Sequence, residues 1–546
     1  MKKLITTLIC AFLLLSIAAC NKSGPDTNQP DQSGQTSSQQ SNQPSSQPSS
    51  QPSGQTSGQQ SAQPPAAKVT DTVTVAFSVD PGSLAPFTGV SATDFILFNM
   101  YDSLFRMSDP TGEITPLIAE SYNISDDGLT YTFNIRKGVK DSAGNVITAH
   151  DCDFSWRLYA QGPMAMNVSA VDFDKTGAVD DYTYVVILTS PGQTYMAQFG
   201  KVYIISEKAY NESPDEMITT PVTTGPYRLS EWVQGSYVKL VANEDYYGAA
   251  PDIKNLEFKI ISEATQRTIA LMTGEVNFVY DYLISDADYI KSEGYIVEAR
   301  NTNTVYSVFF NNSGKFASDI NFRKAVSLSI DNVGLTSMIY RNVNTPATTA
   351  QSRNAFDYSP AWEGNMYYNY DPAEAKVYLD QSNYDGSSIV LLTKSNVFDF
   401  DKLCEAVQDS LRQIGVIAEI QQYDAATLAT IRADAANWEL LITDHSTFSG
   451  FGVDSIHNTH VRSNQLLLPK DLYDLFDEYG RKGLYSPNAQ ESAEYLLKTL
   501  LLNQDEVTTH AICYATFKFA YVDYLSNINL YSTNKIAWNE IIIGEA

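Results

Sequence analysis

The chain has 546 residues, of which 63 are Asp or Glu and 36 are Lys or Arg, so its formal charge is −27. This charge argues against a nucleic-acid-binding protein, because binding a phosphate polyanion requires clustered Lys and Arg that displace counterions. Hydrophobic residues make up 43% of the chain and aromatic residues 12%, which suits packed cores and is too much for a disordered protein. The length allows two to four domains.

The first twenty residues have the pattern of a secretion signal that ends in a lipidated cysteine. Met1–Lys3 is basic, Leu4–Ala19 is apolar, and Cys20 follows small side chains. The apolar run is shorter than the about 20 residues of a membrane-spanning helix. Ile17–Cys20 resembles the lipobox of bacterial lipoproteins, so we expect residues 1–19 to be a signal peptide and Cys20 to carry the lipid anchor. An ordinary signal followed by an incidental cysteine is the alternative.

Residues 20–67 form a low-complexity segment of Gln, Ser, Pro and Gly, with charge only at Lys22, Asp26 and Asp31. Such a segment cannot bury enough apolar surface to offset the entropy of ordering it. We therefore expect a flexible tether whose ends lie about 35–40 Å apart, from roughly 5–6 Å times the square root of its length. The folded body then begins near residue 69 and works outside the cytoplasm, at the cell surface or in the periplasm.

Three strands are predicted in the first half of the body. Thr72–Phe77 alternates between polar and apolar residues, as a strand does. The turn signal Ser125–Gly128 precedes Leu129–Ile135, whose apolar residues recur every second position, as in a half-buried strand. Tyr182–Leu188 has the same pattern. The acidic pairs at Asp126 and Asp180 sit at turns, where Asp forms local hydrogen bonds.

The second half predicts a parallel, helix-covered sheet. The apolar run Ser388–Thr393 is followed by a helical stripe over Leu403–Ile414, by Gly415 as a helix end, and by the alternating segment Val416–Ile420. Strand, helix, glycine and strand in this order make a βαβ unit. A second helical stripe begins at Phe322, with Ser318 or Asp319 placed to cap it.

The body holds three cysteines, at Cys152, Cys404 and Cys513. Their spacing matches neither a zinc site nor a disulfide framework. We expect small buried hydrophobic side chains, and the sequence leaves open whether any two of them pair.

A series of motifs resembles one protein family in collinear order. The body is similar to the extracytoplasmic solute-binding proteins of peptide ABC importers, the oligopeptide- and dipeptide-binding proteins of family 5. The motifs that carry the resemblance are Ile118–Tyr122, Ser125–Phe133, Arg136–Lys140, Ile147–Asp151, Phe154–Trp156, Thr224–Leu229, Glu231–Trp232, Asn243–Tyr247, Phe322–Val326 and Tyr370–Ala375.

The resemblance implies an α/β fold, a two-lobed clamshell like that of the periplasmic binding proteins, with an additional β-rich domain. Lobe I would comprise residues 69–108, 219–315 and 516–546. The extra β-rich domain would be residues 109–218, and lobe II residues 316–515. The predicted βαβ unit falls inside lobe II.

The resemblance also implies where a peptide would bind. Thr88, Gly89 and Val90 match the lobe I strand that pairs with the peptide backbone, although an ordinary turn is an equal alternative. Tyr280, at the end of Gly274–Tyr280, matches a ligand-facing tyrosine, and Tyr282 is a weaker candidate. The chain has 34 tyrosines, so a purely structural role for either one stays open.

The sequence departs from the family after Trp438–Thr443, where an acidic residue usually pairs with the amino terminus of the peptide. Asp444 and His445 stand nearby and are the candidates to replace it. Asp454, His457 and His460 recur every three residues, a spacing that could form a metal contact set, but Asp and His in polar loops are usually solvated. We therefore predict neither a metal nor a cofactor.

The sequence carries no Gly-x-Ser-x-Gly, His-Glu-x-x-His or phosphate-binding glycine loop, so we do not expect an enzyme. The favoured interpretation is a lipid-anchored, monomeric receptor that captures oligopeptides and delivers them to the permease subunits of an ABC importer. A receptor of the same fold for an oligosaccharide or a metal chelate is the first alternative. A tethered hydrolase or adhesin is the second.

Overall fold

The computed structural model describes residues 71–89, 94–108, 111–363, 367, 369–395, 400–446, 449–531 and 534–544. The predicted signal peptide, Cys20 and the tether lie outside these ranges. Among the described helices, none combines the length and the apolar character needed to cross a membrane.

The strands of the first 310 residues are β1 (Thr72–Phe77), β2 (Phe105–Met107), β3 (Ile114–Pro116), β4 (Ala119–Ile124), β5 (Thr130–Ile135), β6 (Gly177–Asp180), β7 (Thr183–Ile187), β8 (Tyr227–Val233), β9 (Tyr237–Ala242), β10 (Asn255–Ile260), β11 (Phe278–Tyr280) and β12 (Ile296–Phe310). The later strands are β13 (Thr345–Pro346), β14 (Ile389–Lys394), β15 (Ala418–Tyr423), β16 (Leu440–Ser446), β17 (Thr509–Tyr521), β18 (Leu525–Ser526), β19 (Leu530–Tyr531), β20 (Lys535–Ile536) and β21 (Ile542–Ile543). The α-helices are α1 (Asp94–Met100), α2 (Ala149–Ala160), α3 (Tyr195–Phe199), α4 (Glu207–Glu212), α5 (Ala264–Met272), α6 (Ala287–Ser292), α7 (Ile320–Ser329), α8 (Asn332–Tyr340), α9 (Pro372–Asp380), α10 (Phe400–Ile414), α11 (Ala425–Arg432), α12 (Gly452–His457), α13 (Lys470–Leu484) and α14 (Ala489–Glu506).

One mixed sheet runs through the folded body in the order β15-β14-β16-β12-β17-β11-β1-β10-β9-β8, with β13 beside β17. The long antiparallel strands β12 and β17 occupy its middle. On one side, β1 runs parallel to β10 and β11, and on the other side β14 runs parallel to β15 and β16. We keep the name lobe I for the side that contains β1 and lobe II for the side that contains β14.

The pairing of β12 with β17 breaks where the two lobes meet. Asn301 pairs with Thr516 and Val305 with Tyr514, so three residues of β12 stand opposite the single residue Ala515. This irregularity is a bulge, which bends a strand and increases its twist. We call Asn301–Val305 the lobe junction.

The elements predicted for lobe II are confirmed. Strand β14, helix α10 and strand β15 form the βαβ unit, and β14 and β15 pair in parallel. Gly415 follows α10 with a φ of 101°, a conformation that favours glycine. The side chain of Asp319 accepts a hydrogen bond from the Asn321 amide and caps α7, which decides between the two predicted caps.

A second sheet, in the order β4-β5-β7-β6, lies within residues 109–218. The predicted strands near Leu129 and Tyr182 are β5 and β7 of this sheet. Trp156 of α2 is fully buried against it, with its ring centroid 4.6 Å from that of Phe199 and 5.5 Å from that of Tyr184.

The three body cysteines, Cys152, Cys404 and Cys513, are all buried and form no disulfide with one another. The pairing that the sequence left open is thereby excluded for these three residues. Their thiols pack as small hydrophobic groups, as predicted.

Candidate functional site

A cavity of about 600 Å³ lies where lobe I, the lobe junction and lobe II meet. Its volume is in the usual range for ligand pockets, roughly 300–1,000 Å³. The lining is mostly amide and hydroxyl groups with one cation, which suits a ligand rich in hydrogen-bonding groups. The lining residues are Ser108, Arg300, Asn301, Asn354, Asn529, Leu530, Tyr531 and Asn534.

The cation in this cavity, Arg300, is held in a fixed position. Its guanidinium donates to the Glu298 carboxylate at 2.7 Å and to the Ile528 carbonyl at 2.7 Å, and it lies 5.2 Å from the centroid of the Phe519 ring. Asn354 of lobe II donates to the Asn301 carbonyl at 2.5 Å. One of these contacts, from Asn354 to Asn301, therefore joins lobe II to the lobe junction in the wall of the cavity.

An aromatic cluster covers the carboxyl ends of β1 and β11 in lobe I. The Tyr280 ring lies within 5.8 Å of the rings of Phe77, Phe95 and Phe517, centroid to centroid. Tyr280 is only 4% exposed, and burial raises the pKa of its hydroxyl. Phe95 and Phe517 are half-buried and stack on each other at 5.9 Å. Any ligand at this edge would meet these two rings before Tyr280.

Tyr282 lies on the opposite face of the lobe I sheet from Tyr280. It is 2% exposed and packs with Val279, Leu271 and Ala520. The structure therefore does not bring the two candidate tyrosines together.

The segment that contains Thr88 and Gly89 forms a turn in this structure, which is the alternative that the sequence left open. Pro86–Thr88 is a 3₁₀ turn, and the Thr88 hydroxyl donates to the Ala85 carbonyl at 2.8 Å. Gly89 has a φ of 74°, and a Cβ placed there would lie 2.8 Å from Cβ of Pro163. Val90 lies outside the described residues.

The carboxyl ends of the lobe II strands carry an ion pair. Nζ of Lys394, at the end of β14, lies 2.9 Å from Oδ1 of Asp444 in β16, and both side chains are about one-third exposed. The carboxylate of Asp444 therefore already has a cationic partner. An incoming amino terminus would have to share or displace that partner.

His445, the other lobe II candidate, is held between Phe309 and Ser455. Its ring centroid lies 5.7 Å from that of Phe309, and its Nδ1 lies 3.4 Å from the Ser455 hydroxyl. Burial lowers the pKa of His445 to about 4, so the ring is neutral at pH 7. Asp444 and His445 both line a second cavity, of about 260 Å³, in lobe II.

The three residues of the possible metal contact set each contact another side chain. Asp454 pairs with Arg462, His457 with Asp477 at 3.0 Å, and Nε2 of His460 lies 2.9 Å from the Thr508 hydroxyl. Across the ranges that the structure describes, no three His, Cys, Asp or Glu side chains converge as metal ligands would.

The sequence interpretation missed the whole lining of the cavity between the lobes. The weak signal was the concentration of asparagines after β18, because Asn tolerates a positive φ and therefore marks turns. Asn527 and Asn534 do have positive φ values, of 60° and 66°.

Comparisons with known proteins agree with this architecture. Residues 113–461 match the middle region of the bacterial extracellular solute-binding proteins, family 5. The chain is 26% identical over 382 residues to a Brucella ovis protein whose name assigns it as the peptide-binding protein of an ABC transporter, with 67% of this chain and 71% of the relative covered. It is 26% identical over 363 residues to a glutathione-binding protein of Pectobacterium atrosepticum, with 64% and 68% covered.

The crystal structure of an ABC transporter substrate-binding protein from Listeria monocytogenes has the same fold. The TM-score is 0.78 at 20% identity, with 87% of this chain and 99% of that chain covered. The chain thus has the two-lobed α/β architecture of a solute-binding protein, as expected. It belongs to the bacterial extracellular solute-binding proteins of family 5.

Proposed function

We propose that the protein is the substrate-binding component of an ABC importer and captures oligopeptides between its two lobes. The family membership supports the role, and the named relatives are binding proteins of transporters rather than enzymes. The cavity where the lobes meet is the observation that carries the proposal. Its amide-rich lining can satisfy the backbone N–H and C=O groups of a peptide.

In this proposal the protein acts outside the cytoplasm and is held at a membrane by a lipid attached to Cys20. The extracellular nature of the family supports this location, and the lipobox-like Ile17–Cys20 supports the anchor. Its partners are the peptide, the permease subunits and the membrane that holds the anchor, and it works as a monomer.

Ligand-driven closure of the two lobes would report the bound peptide to the permease. A ligand stabilises the closed state only through contacts that it makes in that state and lacks in the open one. In this structure the extra domain already contacts lobe II, because the Gln193 side chain donates to the Ser486 carbonyl at 3.1 Å.

We expect the protein to become more compact in small-angle scattering when a peptide that binds to it is added. Unchanged dimensions across a panel of peptides would contradict closure of the lobes.

The first experiment is mass spectrometry of the cargo that is released when the natively purified protein is denatured. A ladder of short peptides is expected. A single sugar or metal complex would keep the receptor fold and replace the substrate class.

Replacing Asp444 with Asn tests whether this carboxylate holds the amino terminus of the peptide. If it does, we expect roughly 10-fold to 100-fold weaker binding, because a charge-assisted hydrogen bond contributes about 1.5–3 kcal/mol. Calorimetry with a free peptide and its N-acetylated form measures this, and the variant should lose the preference for the free amine. Equal losses for both peptides would remove the assignment.

The ion pair between Asp444 and Lys394 favours a second candidate function, a receptor for a non-peptide ligand such as an oligosaccharide or a metal chelate. Lys394 already neutralises the only lobe II carboxylate proposed for the amino terminus. A tethered hydrolase or adhesin rests on the tether alone. Turnover of a peptide mixture would favour it.

A further inference from the structure

The second cavity lies between β16 and α11 of lobe II, and it is charged at both ends. Lys394 pairs with Tyr423 in the sheet, so Ala425 at the start of α11 lies near the Lys394–Asp444 ion pair. Arg432 ends α11, seven residues further on, or about 10 Å along a helix that rises about 1.5 Å per residue. The cavity therefore extends from a neutralised ion pair to a second cation.

Arg432 has no carboxylate partner in the described part of the chain. Its guanidinium donates to the Gln465 side-chain oxygen at 2.9 Å, and burial lowers its pKa without a compensating carboxylate. This is unusual in a chain with 63 acidic residues, in which most arginines of the described ranges pair with one. Asp434, two residues away, instead caps a short helix by accepting from the Ala436 amide.

His445 also lines this cavity, and its Nε2 is buried without a hydrogen-bond partner among the described residues. Such an unpaired buried polar atom costs the fold free energy. Leu428 and Leu441 supply an apolar wall that can cover the carbon atoms of a ligand.

The two cavities are connected through the neighbouring strands β16 and β12. Ser446 lines the lobe II cavity, and its hydroxyl lies 2.7 Å from that of Thr304 in β12. Asn301, which lines the cavity between the lobes, is three residues from Thr304, or about 10 Å of extended chain. A peptide of a few residues is long enough to reach from one cavity to the other.

We propose that the lobe II cavity binds a carboxylate group of the captured ligand, with Arg432 as its counter-ion and Gln465 holding the guanidinium in place. This proposal rests on the proposed function in naming acidic peptides as the preferred substrate class. Arg presents paired N–H groups that match the two oxygens of a carboxylate. The carboxylate comes from an acidic side chain or from the C-terminus of the peptide.

The test uses the full-length protein, with glutarate as the carboxylate probe and glutaramide as its neutral counterpart. Millimolar glutarate should raise the melting temperature, and glutaramide should not. Arg432→Gln should abolish the shift, and Arg432→Lys should restore part of it. Arg228→Gln is the matched control, because Arg228 is exposed and also lacks a carboxylate partner within the described ranges. Unchanged unfolding free energies would show that each variant is folded.

Peptide pairs then identify the source of the carboxylate. A preference of roughly 10-fold to 100-fold for Ala-Glu-Ala over Ala-Gln-Ala assigns an acidic side chain. The same preference for Ala-Ala-Ala over its C-terminal amide assigns the terminal group. Either preference should disappear in Arg432→Gln and persist in Arg228→Gln.

The outcomes separate this proposal from the proposed function. Peptide binding without a charge preference, and unaffected by Arg432→Gln, overturns the carboxylate site and leaves the receptor role intact. An Arg432-dependent glutarate shift without peptide binding keeps the site and overturns the peptide receptor. An equal shift with glutarate and glutaramide also overturns the carboxylate site.

Discussion

Lowering the pH from 7 to 5 is expected to reduce the free energy of unfolding by up to about 5 kcal/mol, mainly because buried neutral histidines resist protonation. Burial lowers the pKa of His460 and His510 to about 3 and that of His445 to about 4. In the unfolded chain a histidine has a pKa of about 6.5, so only the unfolded state gains these protons above pH 5. Each histidine then costs about 2 kcal/mol at pH 5, and this stability is fully present only above pH 6.5.

One buried carboxyl group acts in the opposite direction. Burial raises the pKa of Asp357 to about 6, although its oxygens accept from the Gly452 and Val453 amides. Because the folded state holds this proton more tightly, acidification through pH 6 stabilises the fold by about 1 kcal/mol. Burial also raises the pKa of Asp102 and Glu439, which adds to this offset.

Urea unfolding at pH 7 and pH 5 measures the effect, and two variants assign it. His510→Asn should reduce the loss between the two pH values by about 2 kcal/mol, because one buried imidazole is removed. His150→Asn should leave the loss unchanged, since His150 is 59% exposed beside Asp181. An identical pH dependence in both variants would contradict the assignment to the buried histidines.

Replacing Asp102 with Ala is expected to lower the free energy of unfolding by about 3 kcal/mol, because it removes the closer of the two carboxylates that pair with the buried Arg106 cation. Asp102 is fully buried, and its carboxylate lies 3.3 Å from the guanidinium of Arg106, which is only 4% exposed. It also accepts hydrogen bonds from the hydroxyls of Tyr246 and Tyr247, at 2.8 Å and 2.7 Å. The two tyrosine hydroxyls would lose this acceptor, and Arg106 would keep only the Glu540 carboxylate, at 3.5 Å, and the Phe98 carbonyl.

Asp172→Ala is the matched control. Asp172 also pairs with a cation nearby in sequence, at 2.6 Å, but Lys175 is 70% exposed, so the loss should be much smaller than for Asp102. Chemical denaturation of the two variants gives the comparison. Equal losses would mean that burial does not determine the contribution of the Asp102 pair.

The hydrophobic periodicity of the sequence predicted the strands and helices that bury one face and expose the other. The strands near Thr72, Leu129 and Tyr182 and the β14–α10–β15 unit were all predicted from periodicity. Strand β12 was not, because its burial changes along its length: its first six residues are exposed or half-buried and its last four residues are buried. A strand that passes from one lobe to the other has no single period.

The site was harder to predict because the tertiary structure decides which residue each polar side chain pairs with. Asp434 is two residues from Arg432 in the sequence, yet its carboxylate caps a short helix. The Arg432 guanidinium donates to the Gln465 side chain instead. Tyr280 is predicted to face the ligand, and it lies in the aromatic cluster at the carboxyl ends of β1 and β11, beside Phe95 and Phe517. Whether it contacts a ligand stays a prediction.

The central sheet also determines the order in which this chain can fold. Thr72 pairs with Asn255, and Phe278 pairs with Tyr521, so contacts that complete lobe I join residues about 200 positions apart. Strand β17 is shared by both lobes, since Phe309 pairs with Thr509 and Val297 with Ala520. Neither lobe can complete its sheet until β17 has been synthesised, and such distant pairings fold slowly. The central sheet of the nascent chain therefore stays incomplete for almost the whole of its synthesis, whereas the sheet within residues 109–218 can form much earlier.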